Sequence, residues 1–262
     1  MRISAIFRKI GRELIIKQSG PKLLRIYAST ILFWCVNFLT VLLGWFATPI
    51  IGLIVRDMYF SHSIFSKIWA RSSLACAVTR FKVEGLENIP KGTPVIFMPN
   101  HQSNLDWLVL WSAIPPPFRF VCKKELFKIP FFGVNLRYGG HFSLDRESKK
   151  IAYDTLTKVT EVAKTSSIII FPEGTRSWDG NLREFKGGGV FVALKVGVPI
   201  IPVAISGTFN IMPRNTWIVT PGKVSVKVGK PIIFEKTEEL DMENYQIAVN
   251  KVKESIAAML KV

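Results

Sequence analysis

Two short clusters in this chain carry residue types that can do chemistry. The first is Asn100-His101-Gln102-Ser103-Asn104-Leu105-Asp106. On one continuous helix an imidazole and a carboxylate five positions apart point about 140° away from each other and cannot meet. They meet if the helix starts at Ser103, with Ser103 as its cap and Asp106 at the third helical position, as in a capping box. His101 then lies in the turn before the helix and folds back onto the Asp106 carboxylate. That pairing sets the ring tautomer and leaves the other nitrogen free as a base. The plainer alternative is a helix-capping Asp and an unrelated loop His, and H-x4-D alone does not choose between them. No G-x-S-x-G elbow, Walker A loop or H-E-x-x-H accompanies the pair. The imidazole therefore has no evident protein nucleophile to activate, and a substrate hydroxyl is its natural target.

The second cluster is Phe171-Pro172-Glu173-Gly174-Thr175-Arg176-Ser177. Gly174 permits close backbone approach, Thr175 and the backbone N–H groups donate, and Arg176 offers a planar fork to a phosphate. A simple turn would need only Gly174. Further basic residues stand at Lys123, Lys124, Arg146 and Lys186, and a solvated basic face accounts for any one of them. Lys186 precedes Gly187-Gly188-Gly189, whose spacing does not fit a dinucleotide fingerprint.

These residues need strands and helices to place them. Residues 94–98 read as a strand delivering the His101 cluster, and 167–171 as a strand delivering the Glu173 cluster. Residues 81–83, 118–122 and 200–205 are further strand candidates, and 223–228 alternate with Val224, Val226 and Val228 on one face. Helical spacing marks 105–113, 147–164 and 244–260. Strands interleaved with helices predict an α/β fold with a mixed, mostly parallel β-sheet flanked by helices.

The N-terminal part differs. Residues 31–55 carry no charge, and as a helix would reach about 37 Å, enough to cross a bilayer core. Asn37, Thr40, Gly44 and Thr48-Pro49 interrupt the apolar run, and Pro49 is expected to weaken or break the helix. Basic residues flank both ends, from Arg2 to Arg25 before it and at Arg56, Lys67 and Arg71 after it. The positive-inside rule then favours a re-entrant, membrane-embedded helical hairpin over a single span. Residues 3–18 suit an amphipathic helix on the membrane surface. The expected division is 1–60 for the membrane-anchoring helices and 61–262 for the α/β domain.

Composition agrees. The 262 residues carry 35 Lys+Arg against 19 Asp+Glu, a net charge of +16. With a mean hydropathy of +0.27, this basic surplus fits an anionic membrane and not nucleic acid. Three widely spaced cysteines and three histidines exclude a disulfide framework and make multi-histidine zinc chemistry untenable, so no metal site is expected.

Taken in order, four blocks resemble the lysophosphatidic acid acyltransferase (1-acyl-sn-glycerol-3-phosphate acyltransferase) family. They are Asn100-His101 to Asp106; the run 123–133, Lys123-Lys124-Glu125-Leu126-Phe127-Lys128-Ile129-Pro130-Phe131-Phe132-Gly133, continuing to Gly140 and Asp145-Arg146; 171–177; and Val198-Pro199-Ile200-Ile201-Pro202-Val203. The resemblance covers about residues 80–235. Ser143-Leu144 departs from the aromatic-aliphatic pair usual before Asp-Arg, with Phe142 one position early. The resemblance implies acyl transfer from acyl-CoA or acyl-carrier protein to the sn-2 hydroxyl of lysophosphatidic acid, with no other cofactor. It implies His101 as base, Asp106 as its orienting partner, and Lys123, Lys124, Arg146, Glu173, Gly174, Thr175 and Arg176 at the substrate. It also implies a membrane-bound enzyme with its active site on the cytoplasmic face. The rival readings are transfer to another lysophospholipid or amino-acid lipid, a lipid hydrolase, and a non-enzymatic membrane adaptor.

Overall fold

The computed structural model describes residues 20–115, 117–145, 147–237, 239 and 241–261. The amphipathic segment expected at 3–18 lies outside them. The chain begins with two long helices, α1 (Gly20–Val55) and α2 (Met58–Ala75). It continues with β1 (Val78–Glu84), β2 (Ile96–Pro99), α3 (Leu105–Ala113), β3 (Phe118–Lys123), α4 (Phe132–Tyr138) and β4 (Phe142–Leu144). The remainder is α5 (Lys149–Ala163), β5 (Ser167–Ile169), α6 (Gly188–Val196), β6 (Ile200–Ser206), α7 (Thr208–Ile211), β7 (Gly222–Val228) and α8 (Met242–Leu260).

Seven strands form one sheet in the order β1-β7-β6-β2-β5-β3-β4. The run from β6 to β4 is parallel throughout, whereas β7 pairs antiparallel with β6 and carries β1 parallel to itself. The central strands are buried on both faces, which is why β2 and β6 read as continuous apolar runs and not as alternating ones. Their alternation still sorts side chains into two cores. Phe97, Phe120, Ile169 and Ile201 meet α1, α2 and α3 on one face. Ile96, Met98, Ile168 and Ile200 meet α5, α6 and α8 on the other. The mixed α/β sheet expected from the sequence is therefore present.

The hairpin departs from expectation in where it turns. Helix α1 runs unbroken through Pro49 to Val55, and the chain reverses at Arg56–Asp57, with Asp57 capping α2 through Phe60 N–H at 2.8 Å. The expected break at Gly44 to Pro49 is absent because those small residues serve packing. Gly44, Thr48 and Gly52, four apart, are buried on one stripe of α1. A Cβ at Gly52 would lie 2.8 Å from Met58 Sδ. Small residues at this spacing let two helix backbones approach closely. Asn37 is satisfied across the same contact and Thr40 within α1 itself. Asn37 Oδ1 accepts from Trp69 Nε1 at 2.8 Å, and Thr40 Oγ1 donates to the Val36 carbonyl at 2.6 Å. The second arm runs across residue 60, the expected boundary between anchor and domain, and ends at Ala75.

Helix α2 is built inside out. Its buried face carries Ser61, His62, Ser63, Ser66 and Ser73, with Ala70 and Leu74 towards its end, whereas Phe60, Ile64 and Ile68 are exposed. Along α1, Leu39, Leu43, Phe46, Ile50 and Leu53 are likewise exposed.

Candidate active site

Strands β2, β5, β3 and β4 are parallel neighbours, so their carboxyl ends share one edge of the sheet. Open α/β sheets bind ligands beyond that edge. The His101 cluster leaves β2, the Glu173 cluster leaves β5, Lys123 ends β3, and Asp145 follows β4. Adjacent strands lie about 4.8 Å apart, which sets Lys123 about two strand spacings, near 10 Å, from the His101 turn.

His101 Nδ1 and Asp106 Oδ2 are 2.8 Å apart. The same Oδ2 accepts from the backbone N–H groups of Gln102 at 2.7 Å and Ser103 at 2.9 Å. Ser103 Oγ in turn accepts from Leu105 N–H at 3.1 Å. The turn folds His101 back onto Asp106 as the sequence argument requires, but α3 begins at Leu105 and not at Ser103, so Asp106 is its second residue and not its third. Asn104, the residue immediately before the helix, takes no part in capping through its side chain. Asp106 is fully buried, and a carboxylate receiving two backbone N–H groups acts as an acceptor. The imidazole proton therefore sits on Nδ1, leaving Nε2 with its lone pair. The His101 side chain is 13% exposed and stacks on Phe171, with ring centroids 3.9 Å apart.

Glu173 faces the dyad from β5. Its Oε1 accepts from His101 N–H at 2.7 Å and its Oε2 from Arg183 N–H at 3.2 Å. Burial pushes its pKa up to about 7, partly opposed by these two N–H groups and reinforced by the nearby Asp106 charge. Ser177 N–H donates to the His101 carbonyl at 2.8 Å, locking the two turns together. Gly174 holds a left-handed φ of 65°, and a Cβ there would meet Lys186 Cδ at 3.0 Å. Lys186, a basic residue with no assigned role in the sequence, thus lies against the turn. Thr175 Oγ1 accepts from Arg214. Arg176 is half-buried; burial lowers its pKa, and the Asp106 charge acts in the opposite direction.

The second block is placed differently from the first and third. Lys124 is clamped by Asp145 at 2.8 Å and Glu147 at 3.1 Å, and these contacts raise its pKa. It ties the end of β3 to the loop after β4. Lys123 is more exposed and pairs with Glu125 at 3.3 Å. Arg146 lies outside the described residues.

Sequence reasoning missed several supports. Asn100 spans β2 and β6, donating to the Ile205 carbonyl at 3.0 Å and accepting from Ile205 N–H at 2.7 Å. Gln102 Nε2 donates to the Gly180 carbonyl at 2.7 Å. Beyond Phe171 the ring stack continues through Phe120 to Trp107, the last pair 4.3 Å apart. Trp107 also lines a small apolar cavity of about 30 Å³ between α1, α2, α3 and α4, edged by Thr40, Phe65, Trp111 and Phe132. Among the described residues no group of His, Cys, Asp and Glu is placed to hold a metal ion.

Residues 80–206 match the family model described as Acyltransferase. The chain is 36% identical over 211 residues to the chloroplastic 1-acyl-sn-glycerol-3-phosphate acyltransferase of Brassica napus, covering 79% of this chain and 60% of that protein. It is 32% identical over 193 residues to the 1-acyl-sn-glycerol-3-phosphate acyltransferase of Pseudomonas aeruginosa, covering 71% of this chain and 72% of that one. The chain spans between half and two thirds of the length of the plant and yeast relatives it matches. Among solved structures, the 1-acyl-sn-glycerophosphate acyltransferase PlsC of Thermotoga maritima superposes with a TM-score of 0.75 at 28% identity, covering 91% of this chain and 97% of that one. With the His–Asp pair, the Glu-Gly-Thr-Arg turn and the parallel sheet that joins them, these matches place the chain in the 1-acyl-sn-glycerol-3-phosphate acyltransferase family.

Proposed function

We propose that the protein transfers a fatty acyl group from a thioester, acyl-CoA or acyl-carrier protein, to the sn-2 hydroxyl of lysophosphatidic acid, giving phosphatidic acid. The observation that carries this reading is the 2.8 Å contact of His101 Nδ1 with a fully buried Asp106. Nε2 of His101 removes the hydroxyl proton as the oxygen attacks the thioester carbonyl carbon. Asp106 stabilises the imidazolium that forms. The tetrahedral intermediate collapses, the C–S bond breaks, and the departing thiolate takes the proton back from Nε2. No acyl-enzyme is needed. General-base action of this kind supplies about 10²–10⁴ in rate, and holding both substrates in register adds to it.

Arg176, with Lys123 and the N–H groups around Gly174, holds the acceptor phosphate. Glu173 fixes the turn by bridging it to the His101 backbone. Lys124 contributes by holding the β3 and β4 ends together. The apolar cavity beyond Trp107 receives the start of a fatty chain. At about 30 Å³ it is far short of an extended chain, so it accommodates no more than the chain's first carbons.

The hairpin seats the enzyme in the cytoplasmic face of an anionic membrane. Supporting this, α1 is long and apolar enough to cross a bilayer and leaves its outer face unburied. A helix with serines inside and aliphatic residues outside matches lipid and not water. Purified protein offered a panel of lysolipids with each donor type, read by mass, tests the reading. Phosphatidic acid formation from lysophosphatidic acid is the expected product. Fatty acid release without any acceptor, or transfer only to lysolipids lacking a terminal phosphate, overturns it.

A further inference from the structure

The loop between α7 and β7 belongs to none of the four blocks, yet it touches the candidate site directly. Arg214 Nη1 donates to Thr175 Oγ1 at 2.8 Å and to the Arg176 carbonyl at 3.1 Å. Its guanidinium carbon lies 3.6 Å from the centroid of the Trp178 ring. One side chain therefore grips three residues of the turn that follows Glu173. Its Nε is buried with no hydrogen-bond partner among the described residues.

The loop is itself fastened at its far end. Trp34 of α1 donates through Nε1 to the Trp217 carbonyl at 2.8 Å, and the two indoles lie 5.1 Å apart. Val219 N–H donates to Thr30 Oγ1 at 2.9 Å. Arg214 is thus held from α1 on one side while it holds the turn on the other. Burial and the neighbouring Arg176 and Arg183 guanidiniums all disfavour its charged form. Three like charges collected at one turn repel one another, and a bound phosphomonoester relieves that repulsion. The contacts also need this residue type. A lysine keeps the charge, but its shorter side chain has no planar guanidinium to stack on the Trp178 indole while one nitrogen at its tip bonds both oxygens, as Nη1 does here.

We propose that Arg214 is a positioning residue for the acceptor phosphate. By pinning Thr175 and the Arg176 carbonyl it aims the Arg176 side chain and the turn's N–H groups at the phosphomonoester. The inference rests on the acceptor reading above. It is tested on the full-length protein in membranes, with lysophosphatidic acid and a thioester donor, by comparing R214K, T175V, their double variant and R176A. R214K and T175V are each expected to raise the acceptor KM about ten-fold, the loss of one charge-assisted contact, with kcat and the donor KM within about two-fold. The double variant is expected to be no worse than the poorer single one, because both remove the same contact. An unchanged acceptor KM in R214K, or an equal rise in both KM values, overturns the role of Arg214. If R176A raises the acceptor KM while R214K does not, only this inference falls. If R176A also leaves it unchanged, the phosphate assignment falls with it.

Discussion

At His101 the tautomer is decided by what surrounds its partner. Asp106 receives three donors on one oxygen and is fully buried, so it fixes the ring orientation and, under the proposed base role, would stabilise an imidazolium. His101→Ala is expected to lower kcat by at least about 10²-fold with vesicle binding unchanged, measured at equal expression. Comparable rates for variant and parent would remove His101 as the base. Glu173 makes a different kind of prediction. Burial holds its carboxyl at a pKa of about 7, above the ordinary glutamate value of 4.5, so the folded protein binds the extra proton between those values. Stability is therefore greatest at the acid end of this window and is lost as pH rises through about 7, by about 3 kcal/mol at most. E173Q, which cannot ionise, is expected to flatten that slope in thermal unfolding between pH 5 and 8. A parallel slope in both proteins would mean Glu173 is not its source. The His101–Asp106 contact was legible because its partners sit in one turn of chain. Asn100 was not, because its partner Ile205 lies 105 residues away and no local pattern announces a cross-strand bridge. Arg214 was invisible for the same reason.

Elements that obey water's rules were legible, and those that do not were missed or misjudged. Strands β2, β3, β5, β6 and β7 and helices α3, α5 and α8 stand out as apolar runs or by apolar periodicity and emerged close to their observed bounds. Helix α2 did not emerge, because its serines and His62 point inward while Phe60, Ile64 and Ile68 point outward. A hydrophobic pattern read as facing a core gives the wrong face here. Gly44 and Thr48 had looked like helix weakeners and proved, together with Gly52, to be the contact stripe. Gly52→Leu tests that stripe, since its new side chain meets Met58 Sδ and backbone. Overpacking of this kind costs about 1–3 kcal/mol, and the expected result is a lower unfolding midpoint and reduced transfer. Leu53→Ala, on the exposed side of the same turn, is expected to leave the midpoint unchanged. Equal effects from both would show that the stripe carries no special packing. The short α4 and β4 were missed because the second block reads as loop chemistry, with Pro130 and paired glycines around it.

At the scale of the whole molecule, charge and apolar surface act together. A net charge of +16 and an aliphatic sheath on the hairpin predict tighter binding to vesicles containing anionic lipid than to neutral ones, weakening as salt rises. Replacing Leu39 and Phe46 by Asn is expected to reduce binding to both vesicle types about equally, because it removes the apolar term and leaves the charge. Cosedimentation at two salt concentrations separates the contributions, and identical binding of variant and parent would move the membrane contact elsewhere.

The hairpin is also one wall of the first core, where Phe33, Ala70 and Leu74 share packing with Phe97, Trp111 and Phe118. Trimming the chain ahead of β1 to obtain a freely soluble catalytic fragment would therefore remove two of the three helices that cover this face of the sheet and leave an aggregating remnant. Repainting the outward aliphatic residues of both helices with polar ones keeps that wall standing, and is the route this architecture leaves open to a water-soluble form.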